Sequence, residues 1–200
     1  GSRLLLAMAL PVAGLLVYAG IVMTDRFGEQ QEMQALNELA QLAPTVSALV
    51  HELQKERGQS AGFIASNGKK FADALPKQRQ TSDTKRQDLQ TALDGFEAAA
   101  YGQGLVEKLG TARQALNGME AMRGRVSSLE ATVPQMAGYY TPTIAKLLGI
   151  VEAMTKASNN DTVSKAITAY IAFLQAKERA GVERAMGATG FGSGAFQPAV

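Results

Sequence analysis

The sequence contains no cysteine and only one histidine, and these shortages exclude several kinds of chemistry. Without cysteine the chain forms no disulfide and offers neither a thiol nucleophile nor a thiolate ligand. His51 stands among Glu and Gln residues that do not repeat at metal-ligand spacing, so we predict no metal site. We expect His51 to face solvent on a helix.

The sequence also lacks a large excess of either sign of charge, since the formal net charge is only +2. This value is too small to indicate nucleic-acid binding, and we predict no nucleic-acid partner. The sequence has no Ser-His-Asp or Cys-His set, no phosphate-binding loop and no acidic pair within an apolar helical face. We therefore predict that the protein is not an enzyme and uses no cofactor.

No stretch of the sequence alternates between apolar and polar residues with the period of a strand. The apolar residues instead recur at helical spacing over long segments that short turns separate. The fold class is therefore predicted to be all-α, with antiparallel helical bundles. Helices are expected over residues 36–67, 71–100, 105–126, 134–157 and 162–186. Pro142 is expected to kink or break the fourth of these helices, and a turn is expected from residue 187 onwards.

One apolar run differs from the rest, because residues 4–23 contain no charged side chain. Twenty helical residues span about 30 Å, the thickness of a bilayer core. We expect residues 1–3 to be a cytoplasmic stub that includes a cloning scar, residues 4–23 to be a transmembrane helix, and residues 27–200 to be a helical sensor domain. A cleaved signal peptide is the alternative interpretation of the apolar run.

An arginine occupies the centre of an apolar helical face, where its charge needs an anionic partner. Five apolar residues lead to Arg57 at helical spacing: Leu42, Val46, Leu49, Val50 and Leu53. Arg123 continues a second apolar face, and Arg184 lies about three turns beyond Phe173, on the edge of a third. The partner of each arginine is either a carboxylate of the protein, in a structural ion pair, or a bound anion.

Arginine suits the capture of a small planar oxyanion, because its guanidinium presents two parallel donors. A micromolar site needs about 8 kcal/mol of binding free energy. Charge-assisted hydrogen bonds contribute roughly 1.5 to 3 kcal/mol each, so two or three arginines would suffice and one would not. Tyr139 and Tyr140 are candidate additional donors, although packing in an aromatic core is the competing interpretation.

Two sequence runs and a residue pair between them resemble a known family. Residues 53–63 read LQKERGQSAGF, residues 174–185 read LQAKERAGVERA, and Met122-Arg123 lies between these runs. Together they are similar to the hallmark of the nitrate- and nitrite-sensing (NIT) domain, over about residues 39–196. The resemblance implies an all-helical sensor that holds nitrate or nitrite by arginines between helices. It implies Arg57, Arg123 and Arg184 as binding residues, with Arg179 as a weaker candidate.

The resemblance and the apolar segment together predict a transmembrane receptor. In this interpretation the chain is the periplasmic sensor of a homodimeric methyl-accepting chemotaxis protein in a bacterial inner membrane, anchored by one or two transmembrane helices. The family's domain continues into a further helix, so we expect the sensor to be truncated at its C-terminus. The alternatives are a sensor for another small anion in a histidine kinase or cyclic-dinucleotide enzyme, and a structural dimerisation bundle with internal ion pairs. Soluble antiterminators also contain such domains, but the predicted anchor argues against them.

Overall fold

The structure of the protein is a computed structural model. It describes the backbone of residues 2–157 and 161–193, and the side chains of residues 37–155, 168–183 and a few others. The described elements are α1 (Ser2–Ala65), α2 (Ala74–Asp94), a short 3-10 helix (Ala98–Tyr101), α3 (Gln103–Leu116), α4 (Met119–Ser127), α5 (Val133–Ala157) and α6 (Asp161–Ser193). Within this part of the chain there is no strand, which confirms the predicted all-α class.

The chain divides into two compact units, residues 1–40 and residues 41–200. The second unit contains the residues that the sequence singles out. Helix α5 packs against both α3 and α6. The core of this unit consists of buried apolar side chains from all six described α-helices, among them Val46, Leu49, Leu53, Leu75, Leu89, Leu105, Leu116, Met119, Val126, Ile144, Leu147, Val151, Ile171 and Leu174. Their helical spacing is the reason that each helix buries one face.

Helix α1 ends at Ala65, close to the predicted end at residue 67, where the sequence has the helix-stop dipeptide Asn67-Gly68. Asn67 and Gly68 adopt left-handed backbone angles, with φ of 52° and 79°. The Gly68 amide donates to the Phe63 carbonyl at 2.9 Å, which satisfies a carbonyl that the helix would otherwise leave unpaired. The sequence signal and the structure agree at this end.

Several helices differ from the predicted ones. The second helix, predicted over residues 71–100, is Ala74–Asp94 with Gly95 at its C-terminal cap, and a separate 3-10 helix follows it. The expected third helix is interrupted at Gly118, where a Cβ atom would lie 3.0 Å from the Tyr139 ring, so the missing side chain lets that ring approach. Helix α5 continues through Pro142, which lies on its exposed side.

Helix α6 runs on through Gly187, Gly190 and Gly192 to Ser193 instead of turning at Gly187, because each glycine weakens a helix by only about 1 kcal/mol and does not prohibit it. A loop and helix start are expected over residues 158–161, between the last two predicted helices; α6 begins at Asp161, and residues 158–160 lie outside the described residues.

The transmembrane helix predicted over residues 4–23 gains no support from the structure. A span requires about 20 predominantly apolar residues. Among the residues that the structure describes, no helix is both long enough and apolar enough to cross a membrane. Most side chains of residues 4–23 lie outside those described residues.

Candidate anion-binding site

Two neighbouring charged residues in α1, Glu56 and Arg57, are both buried, with 0% and 3% of their surfaces exposed. Successive residues on an α-helix point about 100° apart, so these two side chains serve different faces of α1. They therefore form two separate polar groups. We call them the Arg57 cluster (Gln54, Arg57, Thr141 and Glu178) and the Glu56 cluster (Glu56, Asp83, Glu120, Arg123 and Tyr140).

The Arg57 cluster is built around a two-point ion pair between α1 and α6. Arg57 Nη1 donates to Glu178 Oε1 at 2.6 Å, and Nη2 donates to Glu178 Oε2 at 3.3 Å. Arg57 Nη1 also donates to the Thr141 hydroxyl on α5 at 3.0 Å. Gln54 Nε2 donates to Glu178 Oε2 at 2.6 Å. The carboxylate thus accepts three hydrogen bonds, and three helices meet at one guanidinium.

The Arg57 guanidinium lies close against α6. The Arg57 side chain is 4% exposed, and the Glu178 side chain is 13% exposed. A Cβ atom built on Gly181 would lie 3.5 Å from Arg57 Nη2, so the backbone of α6 passes beside the guanidinium. In such a partly dehydrated position, a charge interacts more strongly with its partner than it would in water.

The Glu56 cluster is a second, larger ion-pair network. Glu56 accepts hydrogen bonds from Arg123 Nε at 2.7 Å, from Arg123 Nη2 at 2.9 Å and from the Tyr140 hydroxyl at 2.7 Å. Arg123 Nη1 donates to Asp83 and to Glu120, each at 2.8 Å. Every nitrogen of the Arg123 guanidinium therefore already faces a carboxylate of the protein.

Arg79 adds a second cation beside the Glu56 cluster. Arg79 Nη2 donates to the Arg123 carbonyl and Arg123 Nη2 donates to the Arg79 carbonyl, both at 3.2 Å. Arg79 Nε lies 4.0 Å from Glu56 Oε1 and has no hydrogen-bond partner. Two guanidinium groups thus face three carboxylates. Because the balance is one negative charge, a further anion would be repelled, and this arrangement favours a structural role.

The cluster shifts the proton affinities of its members. Burial alone would raise the pKa of Glu56, but hydrogen bonds from Arg123 and Tyr140 outweigh it and lower that pKa. Burial, and then the charge of Glu56, raise the pKa of Tyr140. Burial opposes the charge of Arg123, yet Glu56 raises its pKa. At neutral pH the carboxylate and the guanidinium are therefore both ionised, and Tyr140 keeps its proton.

The structure brings some predicted residues together and separates others. Arg57 and Arg123 are both buried, as the helical spacing predicts, but they belong to different clusters. Arg179 is exposed on α6. Arg184 belongs to α6, but its side chain lies outside the described residues. His51 is exposed, as predicted.

The sequence reasoning missed the buried partners of the arginines. Glu56 and Glu178 each precede an arginine in the two similar runs, LQKERG and LQAKERAG. These two glutamates were not predicted as site residues, although the repeated Lys-Glu-Arg unit was a signal for both. Tyr140, a candidate hydroxyl donor to a bound anion, instead donates to the Glu56 carboxylate.

Comparison with known proteins identifies the family. A family model described as nitrate and nitrite sensing (NIT) matches residues 48–200. The chain belongs to the NIT family. A curated relative, the nitrate regulatory protein of Klebsiella oxytoca, is 32% identical over 168 residues, which are 84% of this chain and 42% of the relative. A solved structure, that of the NasR transcription antiterminator, superposes with a TM-score of 0.79 at 32% identity and is matched over 88% of this chain and 49% of that one.

These NIT relatives correct the predicted function. One is named a nitrate regulatory protein and the other a transcription antiterminator, and neither name describes a membrane receptor. The predictions of a transmembrane chemoreceptor, a membrane partner and a periplasmic domain at the inner membrane are wrong. The exclusion of nucleic acid is wrong as well. The exclusion failed because the chain spans less than half of either relative. The net charge of +2 therefore carries no information about the part of those proteins that this chain does not span.

Proposed function

We propose that the chain is the nitrate- and nitrite-sensing part of a transcription regulator, and that Arg57 captures the anion. The observation that carries the proposal is the two-point contact between the Arg57 guanidinium and a planar carboxylate between α1 and α6. Nitrate is also planar and presents two oxygens side by side, so the same pair of donors suits it. Membership of the NIT family supports nitrate or nitrite as the ligand.

Arg57 is preferred over Arg123 because of the charges around each guanidinium. Arg57 has one described carboxylate partner, Glu178, and its other described partner is the neutral Thr141. Arg123 faces three carboxylates, so nitrate would have to replace several bonds there. Binding by Arg123 and by Arg179 stays a prediction of the family resemblance.

A second arginine is needed for useful affinity, and we propose Arg184 for this role. One guanidinium supplies roughly 1.5 to 3 kcal/mol per hydrogen bond, which falls short of the about 8 kcal/mol of a micromolar site. Arg184 lies six residues after Glu178 on α6, a rise of about 9 Å. The support for Arg184 is its place in the family motif. The apolar face predicted around Phe173 adds nothing to it, because Phe173, about three turns earlier on the same side of α6, is 66% exposed.

The names of the relatives support a transcriptional role for the regulator to which this sensor belongs. We propose that nitrate binding controls transcription, with antitermination as the first candidate because one relative is a transcription antiterminator. In this proposal nucleic acid is a partner of the whole regulator. The contact with nucleic acid would lie in the portion of the relatives that this chain does not span.

Thermal unfolding of the 200-residue chain in sodium nitrate tests the proposal, with sodium chloride at the same ionic strength as the reference. At a ligand concentration of about 100 times Kd, binding adds roughly 2.7 kcal/mol of stability. For a chain of this size, that energy raises Tm by about 5 to 10 °C. We expect this nitrate-specific rise in the wild type and its loss in Arg57→Met.

The matched control is Arg86→Met, which removes an exposed arginine from α2 and leaves the Arg57 cluster intact. This variant should respond to nitrate as the wild type does. The proposal is overturned if nitrate and chloride give the same Tm in the wild type, or if Arg57→Met keeps the full nitrate response.

A further inference from the structure

The donors that would hold nitrate at Arg57 are engaged by a carboxylate of the protein. Both terminal nitrogens of Arg57 contact Glu178, and Gln54 holds the same carboxylate from one side. A carboxylate and a nitrate share a planar shape and a single negative charge. Glu178 thus presents to Arg57 the same arrangement of oxygens that nitrate would present.

Nitrate and Glu178 compete for this one guanidinium. If both anions stayed beside Arg57, the same two donors, Nη1 and Nη2, would have to serve two anions in a site where the arginine side chain is only 4% exposed. Like charges a few ångströms apart repel strongly in such surroundings. Thr141 and Gln54, the other described members of the cluster, are uncharged, and a second guanidinium such as the proposed Arg184 would not free the two Arg57 donors that Glu178 occupies. Binding of one anion therefore requires departure of the other.

Building on the proposed function, we propose that Glu178 is an internal competitor of nitrate and sets the nitrate concentration to which the sensor responds. A group tethered beside its partner acts at an effective concentration that reaches the millimolar range. Free nitrate must exceed this competition before it replaces Glu178. The glutamate side chain is 13% exposed, so its carboxylate has a path to solvent when it leaves.

The exchange also gives the sensor two states. With Glu178 on Arg57, a two-point ion pair joins α6 to α1. With nitrate on Arg57, that pair is broken and Glu178 is free to rotate away. A ligand shifts a conformational equilibrium only through contacts that differ between the two states, and this ion pair is such a contact. The exchange of Glu178 for nitrate thus links occupancy of the site to the presence of the ion pair between α1 and α6.

Calorimetric titration of sodium nitrate into the full chain and three variants tests the inference. Glu178→Gln keeps the size of the side chain and removes its charge, so nitrate should bind about 10-fold more tightly or better, within the usual range of coupling between sites. Glu178→Asp keeps the charge but shortens the reach, and we expect an intermediate gain. The control Glu183→Gln removes an exposed carboxylate from the same helix and should stay within about 2-fold of wild type.

The possible outcomes separate the inference from the proposed function. If wild type binds nitrate and Glu178→Gln binds it equally or more weakly, the competition is refuted and nitrate sensing stands. An equal gain in Glu183→Gln would also refute it, because net charge alone would then explain the effect. If none of the proteins binds nitrate, the proposed function itself fails. If circular dichroism shows that Glu178→Gln does not fold, Glu178→Asp provides the test instead. A nitrate Kd of Glu178→Asp equal to that of wild type would then overturn the inference.

Discussion

At the scale of the residue, the adjacent α1 residues Glu56 and Arg57 have different partners and different proposed roles. Glu56 faces Arg123 and Tyr140, whereas Arg57 faces Glu178 and Thr141. The apolar spacing was enough to predict that Arg57 and Arg123 are buried. Their partners could not be predicted, because a buried guanidinium accepts any carboxylate that the fold brings to it, and α6 meets α1 more than 120 residues later in the chain.

The lowered pKa of Glu56 predicts how stability depends on pH. The folded protein keeps Glu56 ionised at pH values where the unfolded chain, with an ordinary value of 4.5, takes up a proton. The stabilisation is therefore fully present above pH 4.5 and is lost as the pH falls through the lower folded pKa. Glu56→Gln should be less stable than wild type by roughly 3 kcal/mol at pH 7, and this difference should shrink below pH 4.5.

Urea unfolding of both proteins at pH 7, 5, 4 and 3.5 measures that difference. Asp88→Asn is the control, because it removes an exposed carboxylate whose described ion pair, with Lys85, lies at the surface. This control should change the unfolding free energy little at any of these pH values. A difference for Glu56→Gln that stays constant from pH 7 to pH 3.5 would contradict the assigned role of the carboxylate.

At the scale of the element, the stop of α1 and the helical class followed from local signals. Asn-Gly is a good helix terminator because both residues tolerate left-handed angles. The split between α3 and α4 was missed, although Asn117-Gly118 at that point is the same dipeptide; the Tyr139 ring of a separate helix packs beside Gly118 there. The continuation of α6 was missed because glycine lowers helix propensity without prohibiting the helix.

Replacement by alanine is expected to have opposite effects on stability at Gly58, inside α1, and at Gly68, in the turn that ends α1. Gly68 has φ of 79°, so Gly68→Ala should lower the unfolding free energy by about 1 kcal/mol through backbone strain. Gly58 lies inside α1, with nothing within 4 Å of an added Cβ atom. Gly58→Ala should raise the unfolding free energy by about 0.5 to 1 kcal/mol, because alanine loses less backbone entropy.

Chemical denaturation of the two alanine variants alongside wild type checks this pair. The shared substitution makes each variant the control for the other. Changes of the same sign would show that the backbone angles at the end of α1 do not govern its stability.

At the scale of the whole molecule, the family was predictable and the kind of regulator was not. The paired runs around Arg57 and Arg179, with Met122-Arg123 between them, were specific enough to indicate NIT, and the family match confirms it. The step from an apolar segment to a transmembrane chemoreceptor was wrong. A sensor domain does not by itself determine the output of a protein, because a fold does not imply a function.

The account of the whole sensor rests on capture of nitrate at Arg57. A crystal structure of the chain grown in sodium nitrate tests this claim most directly. We predict a planar anion within hydrogen-bond distance of Arg57 Nη1 and Nη2, with the Glu178 carboxylate turned away and the Glu56–Arg123 pair unchanged. An intact Arg57–Glu178 pair, with nitrate bound at another place in the same crystal, would contradict the account.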